Sequence, residues 1–244
     1  MTKVFGHRGA SAYAPENTLA SFWLAHEMGA DGIEMDVQMS KDGRLVVIHD
    51  EQVDRTTDGT GWVKDLTLAE LQALNASMGA ESYPDERIPT LDEVFDLLAG
   101  TQMAFNIELK NCVVLYPGMC ELLLETIDKR DWEHRVTISS FNHISIAHIR
   151  QSGSLVNTGV LFQDILHEPW VYAHHMWATA LHPHFLYVDA VPTVVEESQD
   201  SLLEVNVWTV NEVDDIDRML QAGVDSIITN YPDRALERRA LLGY

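Results

Sequence analysis

The chain ends its first apolar segment in Val4-Phe5-Gly6-His7-Arg8-Gly9, so a titratable ring and a permanent cation sit between glycines, where backbone freedom is greatest. That pairing offers proton transfer beside anion binding. A second stretch, Gly32-Ile33-Glu34-Met35-Asp36-Val37-Gln38, alternates so that Glu34 and Asp36 share one face of a strand and Ile33, Met35 and Val37 the other. Two carboxylates so close repel each other unless something cationic lies between them, and a divalent metal is the economical explanation. The pattern recurs in Met103–Lys110, where Asn106, Glu108 and Lys110 share a face. That acid suits a third metal ligand, and that ammonium suits a phosphate contact.

These residues need elements to bring them together. Lys41-Asp42-Gly43-Arg44 signals a tight turn into Leu45-Val46-Val47-Ile48-His49-Asp50, which predicts a hairpin with the Glu34 strand. Counting back from the turn puts His49 opposite Asp36 to within about one residue of register. From Asp54 to Ile88 the chain turns rich in Thr, Asp and Gly, and it carries a capping box at Thr67-Leu68-Ala69-Glu70. The stretch 51–89 therefore reads as a small insertion over one end of a single domain covering residues 1–244. A second capping box, Thr90-Leu91-Asp92-Glu93, starts a helix that returns to the core.

Beyond it the rhythm is regular. Strands are predicted at Arg135–Ser139, Thr158–Phe162, Phe185–Val188, Glu204–Trp208 and Ser226–Thr229, with helical patterns around 118–129, 142–151, 170–180, 193–201 and 212–222. With the strands at Val4, Gly32 and Met103 these make eight strand–helix units, which predict an α/β fold, a (β/α)8 TIM barrel. In that architecture functional groups gather at the C-terminal strand ends, where His7, Glu34, Asp36, Glu108, Lys110, Trp208 and Thr229 all fall.

Composition narrows the partners. With 38 acids against 16 bases, the net charge of −22 argues against nucleic acid or an anionic membrane surface. An anionic substrate would need local cations, a metal with Arg8 or Lys110, to overcome the overall field. Cys112 and Cys120 match neither a redox pair nor a zinc site and read as reduced packing residues. No apolar run approaches about 18 residues, and the first motif already stands at His7, so the sequence predicts a cytoplasmic protein without stable membrane insertion. His174, His175, His182 and His184 fit no standard metal spacing. No P-loop, Gly-x-Gly-x-x-Gly or Gly-x-Ser-x-Gly is present, which leaves nucleotide binding and serine hydrolysis unsupported. A homo-oligomer is compatible with the sequence.

These segments together resemble the glycerophosphodiester phosphodiesterases. The matching stretches are Gly6-His7-Arg8-Gly9 with Pro15-Glu16-Asn17-Thr18, Glu34-Met35-Asp36, Val47-Ile48-His49-Asp50, Arg55-Thr56-Thr57-Asp58-Gly59-Thr60-Gly61 and Ile88-Pro89-Thr90-Leu91. Asn106-Ile107-Glu108-Leu109-Lys110, Ser139-Ser140-Phe141, Asn206-Val207-Trp208-Thr209-Val210 and Gly223–Asn230 complete the set, and no motif falls within 163–203. The resemblance implies a barrel hydrolase of small-molecule glycerophosphodiesters, releasing glycerol 3-phosphate and an alcohol. It also implies Mg²⁺ or Ca²⁺ held by Glu34, Asp36 and Glu108, acid/base work by His7 and His49, phosphate contacts from Arg8 and Lys110, and a pocket wall at Trp208. Two alternatives stay open. One is a lysophospholipase D-type phosphodiesterase, with 163–185 as the candidate acyl groove; the other is a catalytically silent barrel used for binding.

Overall fold

The computed structural model describes residues 1–244. Nine strands form one sheet: β1 (Lys3–His7), β2 (Gly32–Met39), β3 (Leu45–Val47), β4 (Ala104–Leu109), β5 (Val136–Ser140), β6 (Asn157–Phe162), β7 (Ala180–Pro183), β8 (Glu204–Val207) and β9 (Ser226–Thr229). Eight of them are parallel and run in the order β1-β9-β8-β7-β6-β5-β4-β2, and β1 also pairs with β2. That last pairing closes the sheet into the expected (β/α)8 barrel.

The strand β2 outruns its neighbour. Pairing with β1 stops at His7↔Glu34, whereas β2 continues to Met39, and β3 lies antiparallel against Val37, Gln38 and Met39. The expected hairpin is therefore an addition to the rim that carries chain back over the C-terminal end of the barrel. The predicted capping boxes at Thr67/Glu70 and Thr90/Glu93 are both present, each side chain satisfying the other residue's backbone N–H.

Outward-facing strand residues pack under the helices in two clusters. One centres on Ile33, Met35, Phe105, Ile107 and Leu123, the other on Val160, Leu181, Val205, Val207 and Ile227, all fully buried. A third, smaller cluster joins Val46 of β3 to Ile48, Val53, Val63, Leu71, Ala76 and Ile88 of the segment between β3 and β4. The barrel interior is polar, with Asn106, Ser139, His182, Asn206 and Ser226 buried where branched apolar residues are usual. A cavity of about 130 Å³ opens at the N-terminal end of the barrel, away from the strand ends that carry the site.

One predicted element is wrong. The seventh strand is Ala180–Pro183, and Leu186–Ala190, which overlaps the predicted strand Phe185–Val188, is a short helix; the preceding helix stops at His175. A short apolar run such as Phe185-Leu186-Tyr187-Val188 fits a buried strand or a half-buried helical turn equally well. Here Tyr187 and Val188 are buried while Leu186 is exposed. The true strand was obscured because its inward residue is His182, whose ring occupies the space above Gly159; a Cβ at Gly159 would lie 2.3 Å from its Nε2.

Candidate active site

Strand register assembles the acids. Asp36 on β2 stands beside Glu108 on β4, and Glu34 stands beside His7 at the end of β1. One carboxylate oxygen from each of Glu34, Asp36 and Glu108 falls within 4.8 Å of the others, with Glu34 and Asp36 buried and Glu108 partly so. Among groups of three or more His, Cys, Asp and Glu, this is the one whose ligating atoms converge. His174 and His175 are exposed on a helix and belong to no such group.

Both histidines approach by the same device. His7 Nδ1 lies 2.6 Å from Asn230 Oδ1, and His49 Nδ1 lies 2.6 Å from Asp50 Oδ1. An amide oxygen and a carboxylate only accept, so each ring donates its Nδ1–H there and turns Nε2 to the centre. His7 Nε2 is 4.0 Å from Glu34 Oε2, and His49 Nε2 is 3.2 Å from Lys110 Nζ. The residue facing Asp36 across the hairpin is Ile48, whose N–H donates to the Asp36 carbonyl at 2.9 Å, so His49 stands one residue beyond. That lies within the register expected for it.

The cations interleave with the acids. Arg8 adopts φ 56°, in the left-handed region, and its backbone N–H donates to Glu34 Oε2 at 2.9 Å. Its Nη1 donates to Glu16 at 2.8 Å, while Nε, buried and 3.1 Å from Asp36, is not aligned for a hydrogen bond with it. Lys110 Nζ donates to Glu108 at 2.9 Å and stands 3.8 Å from Asp36. Asn17 Nδ2 donates to Asp36 at 2.8 Å.

Charge follows geometry. Burial, then Asp36 and Glu108, pushes Glu34 well above the usual carboxylate range. Burial and Asp36 raise Glu108 as well. Burial would also raise Asp36, but Arg8, His49, Lys110 and the Asn17 amide hold it below. Burial and the adjacent Arg8 push His7 down to about 4, so its ring is neutral at pH 7. Glu34 and Glu108 are thus carboxylates short of positive charge, and with Asp36 they make an all-oxygen donor set. These residues fit a hard divalent cation.

Trp208 follows β8 directly, at the same end of the barrel. Its indole N–H donates to the His182 carbonyl at 2.8 Å, and its ring meets Phe141 and His184 edge to face at 5.6 and 5.3 Å between centroids. Four supporting residues carried no assigned role in the sequence reading: Asn230, Asp50, Glu16 and Asn17. The available signal was position, since Asn230 follows the last barrel strand and Asp50 follows His49.

The chain matches the model of the glycerophosphoryl diester phosphodiesterase family over residues 7–234. It belongs to that family. The members are phosphoric diester hydrolases, and the matched span contains every site residue described above, from His7 to Asn230. The chain is 48% identical to a glycerophosphodiester phosphodiesterase of Caldanaerobacter subterraneus, with 95% of each chain covered, and 41% identical to one of Bacillus altitudinis, with 98% of each covered. Among solved structures it resembles a phosphodiesterase of Oleispira antarctica in complex with its product sn-glycerol-3-phosphate, at 30% identity and a TM-score of 0.91 over 98% of this chain and 97% of the other. A glycerophosphodiester phosphodiesterase of Agrobacterium tumefaciens superposes with a TM-score of 0.85 at 29% identity, over 97% of this chain and all of that one. No helix of this chain is long and apolar enough to cross a membrane.

Proposed function

We propose that this chain hydrolyses glycerophosphodiesters to glycerol 3-phosphate and an alcohol, with a divalent ion, Mg²⁺ or Ca²⁺, at Glu34, Asp36 and Glu108. The observation that carries the reading is the pair of imidazoles with anchored Nδ1 and centre-facing Nε2, set beside the carboxylates and two cations. A phosphodiester repels nucleophiles through its negative charge, and a bound divalent ion supplies neutralisation at the phosphoryl oxygens. Arg8 and Lys110 share that task from the side of Asp36. One imidazole takes the proton of the attacking hydroxyl, whether water or the neighbouring glycerol hydroxyl, and the other protonates the departing oxygen. Trp208 closes the pocket, and the segment 51–89 acts as an insertion over its mouth.

The test is release of glycerol phosphate from several glycerophosphodiesters with and without Mg²⁺ or Ca²⁺. Turnover that vanishes on chelation and returns on addition of either ion is expected; no turnover of any of them with metal present would return the silent-barrel reading. His7→Ala and His49→Ala should each lower kcat by about 10²- to 10⁴-fold, the usual contribution of an acid/base group. Glu34→Gln should weaken metal binding in calorimetry.

A second reading, lysophospholipase D-type cleavage, has one observation in its favour. Val113, Leu115, Ile144 and Ile165 are 65 to 83% exposed on the segments that follow β4, β5 and β6 at the catalytic end. The apolar surface therefore starts well before the 163–185 stretch expected from sequence. If that rim takes an acyl chain, Leu115→Asp and Ile144→Asp should raise KM for an acylated substrate and leave the deacylated one unchanged.

A further inference from the structure

The strongest feature outside the proposed machinery is Arg55, which ends a short 3-10 turn, Val53–Arg55, in the segment between β3 and β4. Its guanidinium is forked on two carboxylates at once. Nη1 and Nη2 donate to the two oxygens of Glu16 at 2.8 and 2.7 Å, while Nε and Nη2 donate to the two oxygens of Asp50 at 2.7 and 3.0 Å. Glu16 is the acid that receives Arg8, and Asp50 is the acid that receives His49 Nδ1–H.

The contacts therefore form a ring. From Arg55 it passes through Asp50 to His49, through Lys110 to Asp36, and back through Arg8 and Glu16. Without the guanidinium, Asp50 and Glu16 would have no common partner. Asp50 would be free to leave the imidazole, and Glu16 would answer to Arg8 alone and draw it from Asp36. The turn that carries Arg55 is itself fixed. Val53 is buried in the small apolar cluster, its N–H donates to the Gly61 carbonyl at 3.0 Å, and the Asp54 side chain accepts from the Gly61 N–H at 2.9 Å.

We propose that Arg55 is a positioning residue, which couples His49 to Arg8 by holding Asp50 and Glu16 in one bidentate clamp. This rests on the acid/base role of His49 stated above. It gives the segment 51–89 a part in the chemistry besides covering the pocket. Forked guanidinium–carboxylate pairs are directional, and an ammonium cannot reproduce two forks from one point. Lysine at this position should keep the charge and lose the geometry.

The experiment compares the parent, Arg55→Ala, Arg55→Lys and Asp50→Asn on one glycerophosphodiester with saturating Mg²⁺, and reads the His49 ring-nitrogen resonances by ¹⁵N NMR without substrate. Arg55→Ala should lower kcat by about tenfold or more, a part of the 10²- to 10⁴-fold that a whole acid/base group contributes. It should also shift His49 from the Nδ1–H tautomer toward a mixture. Arg55→Lys should recover the tautomer in part and kcat less than fully. The double variant Arg55→Ala/Asp50→Asn should fall no further than the worse single one, since the effect of Asp50 on the imidazole is already contained in the loss of the clamp. A kcat for Arg55→Ala within about threefold of the parent overturns the proposal, as does an unchanged tautomer; the threefold bound is far below an acid/base contribution. A parent that turns nothing over refutes the proposed reaction instead, and the ring-nitrogen spectrum then still decides the clamp. Should Arg55→Ala fail to fold, Arg55→Lys carries both readouts.

Discussion

At the residue scale, the site depends on two side chains that never face its centre. Asn230 and Asp50 each accept the Nδ1 proton of a catalytic candidate, and so decide which nitrogen of the ring carries a lone pair inward. A neutral imidazole in the wrong tautomer presents a proton where a base is needed, and a comparable tautomer error in the serine protease triad lowers kcat by about 10⁴. Asn230→Leu should therefore depress kcat by about tenfold or more at little change in KM, measured at matched metal occupancy. The parity of Glu34, Asp36 and Glu108 was legible in the sequence because a strand's period of two puts alternate residues on one face whatever surrounds them. His49 was legible through its turn, to within the one residue by which a hairpin count drifts. The anchors were not legible as anchors, because an Asn or Asp after a strand looks the same whether it caps a turn or holds a ring.

At the scale of elements, strand and helix alternation was readable wherever outward-facing residues were apolar, as in β4, β5 and β6. It failed at β7, where an inward His and a terminal Pro break the apolar signal and a nearby helix supplies a better imitation of it. The same residue makes a prediction about packing. The His182 ring needs the space over Gly159, and Asn206 Nδ2 contacts its Nε2 at 3.0 Å, so the ring cannot simply swing away. Gly159→Ala should cost about 1–3 kcal/mol or more, the usual penalty of overpacking a filled core. Combined with His182→Ala the loss should be smaller than the sum of the two single effects, because the second change removes what the new methyl strikes. Urea melts of the four proteins measure this directly, and additive losses would show that Gly159 is kept for another reason.

For the whole molecule, the net charge of −22 sets up a field that repels an anionic substrate, and Arg8 and Lys110 are the cations that stand among the acids of the candidate site. The polar barrel interior adds a separate dependence on pH. Burial pushes His182 down to about 3, whereas the unfolded chain would take up its proton near the ordinary histidine value of about 6.5. Between those two pH values the unfolded state binds a proton that the folded state refuses, so folding stability falls as the solution is acidified through that window. Above about 6.5 neither state is protonated at this site and the effect vanishes. The loss grows with each pH unit crossed inside that window, before any carboxylate is considered. His182→Asn keeps a polar side chain in the space and removes the titration. Its melting temperature should lie below the parent's near pH 7.5, where the lost packing dominates, and the gap should narrow or reverse near pH 4.5. Parallel curves for the two proteins across that range would mean that His182 is solvated in the folded state, and that the barrel interior takes up protons as water does.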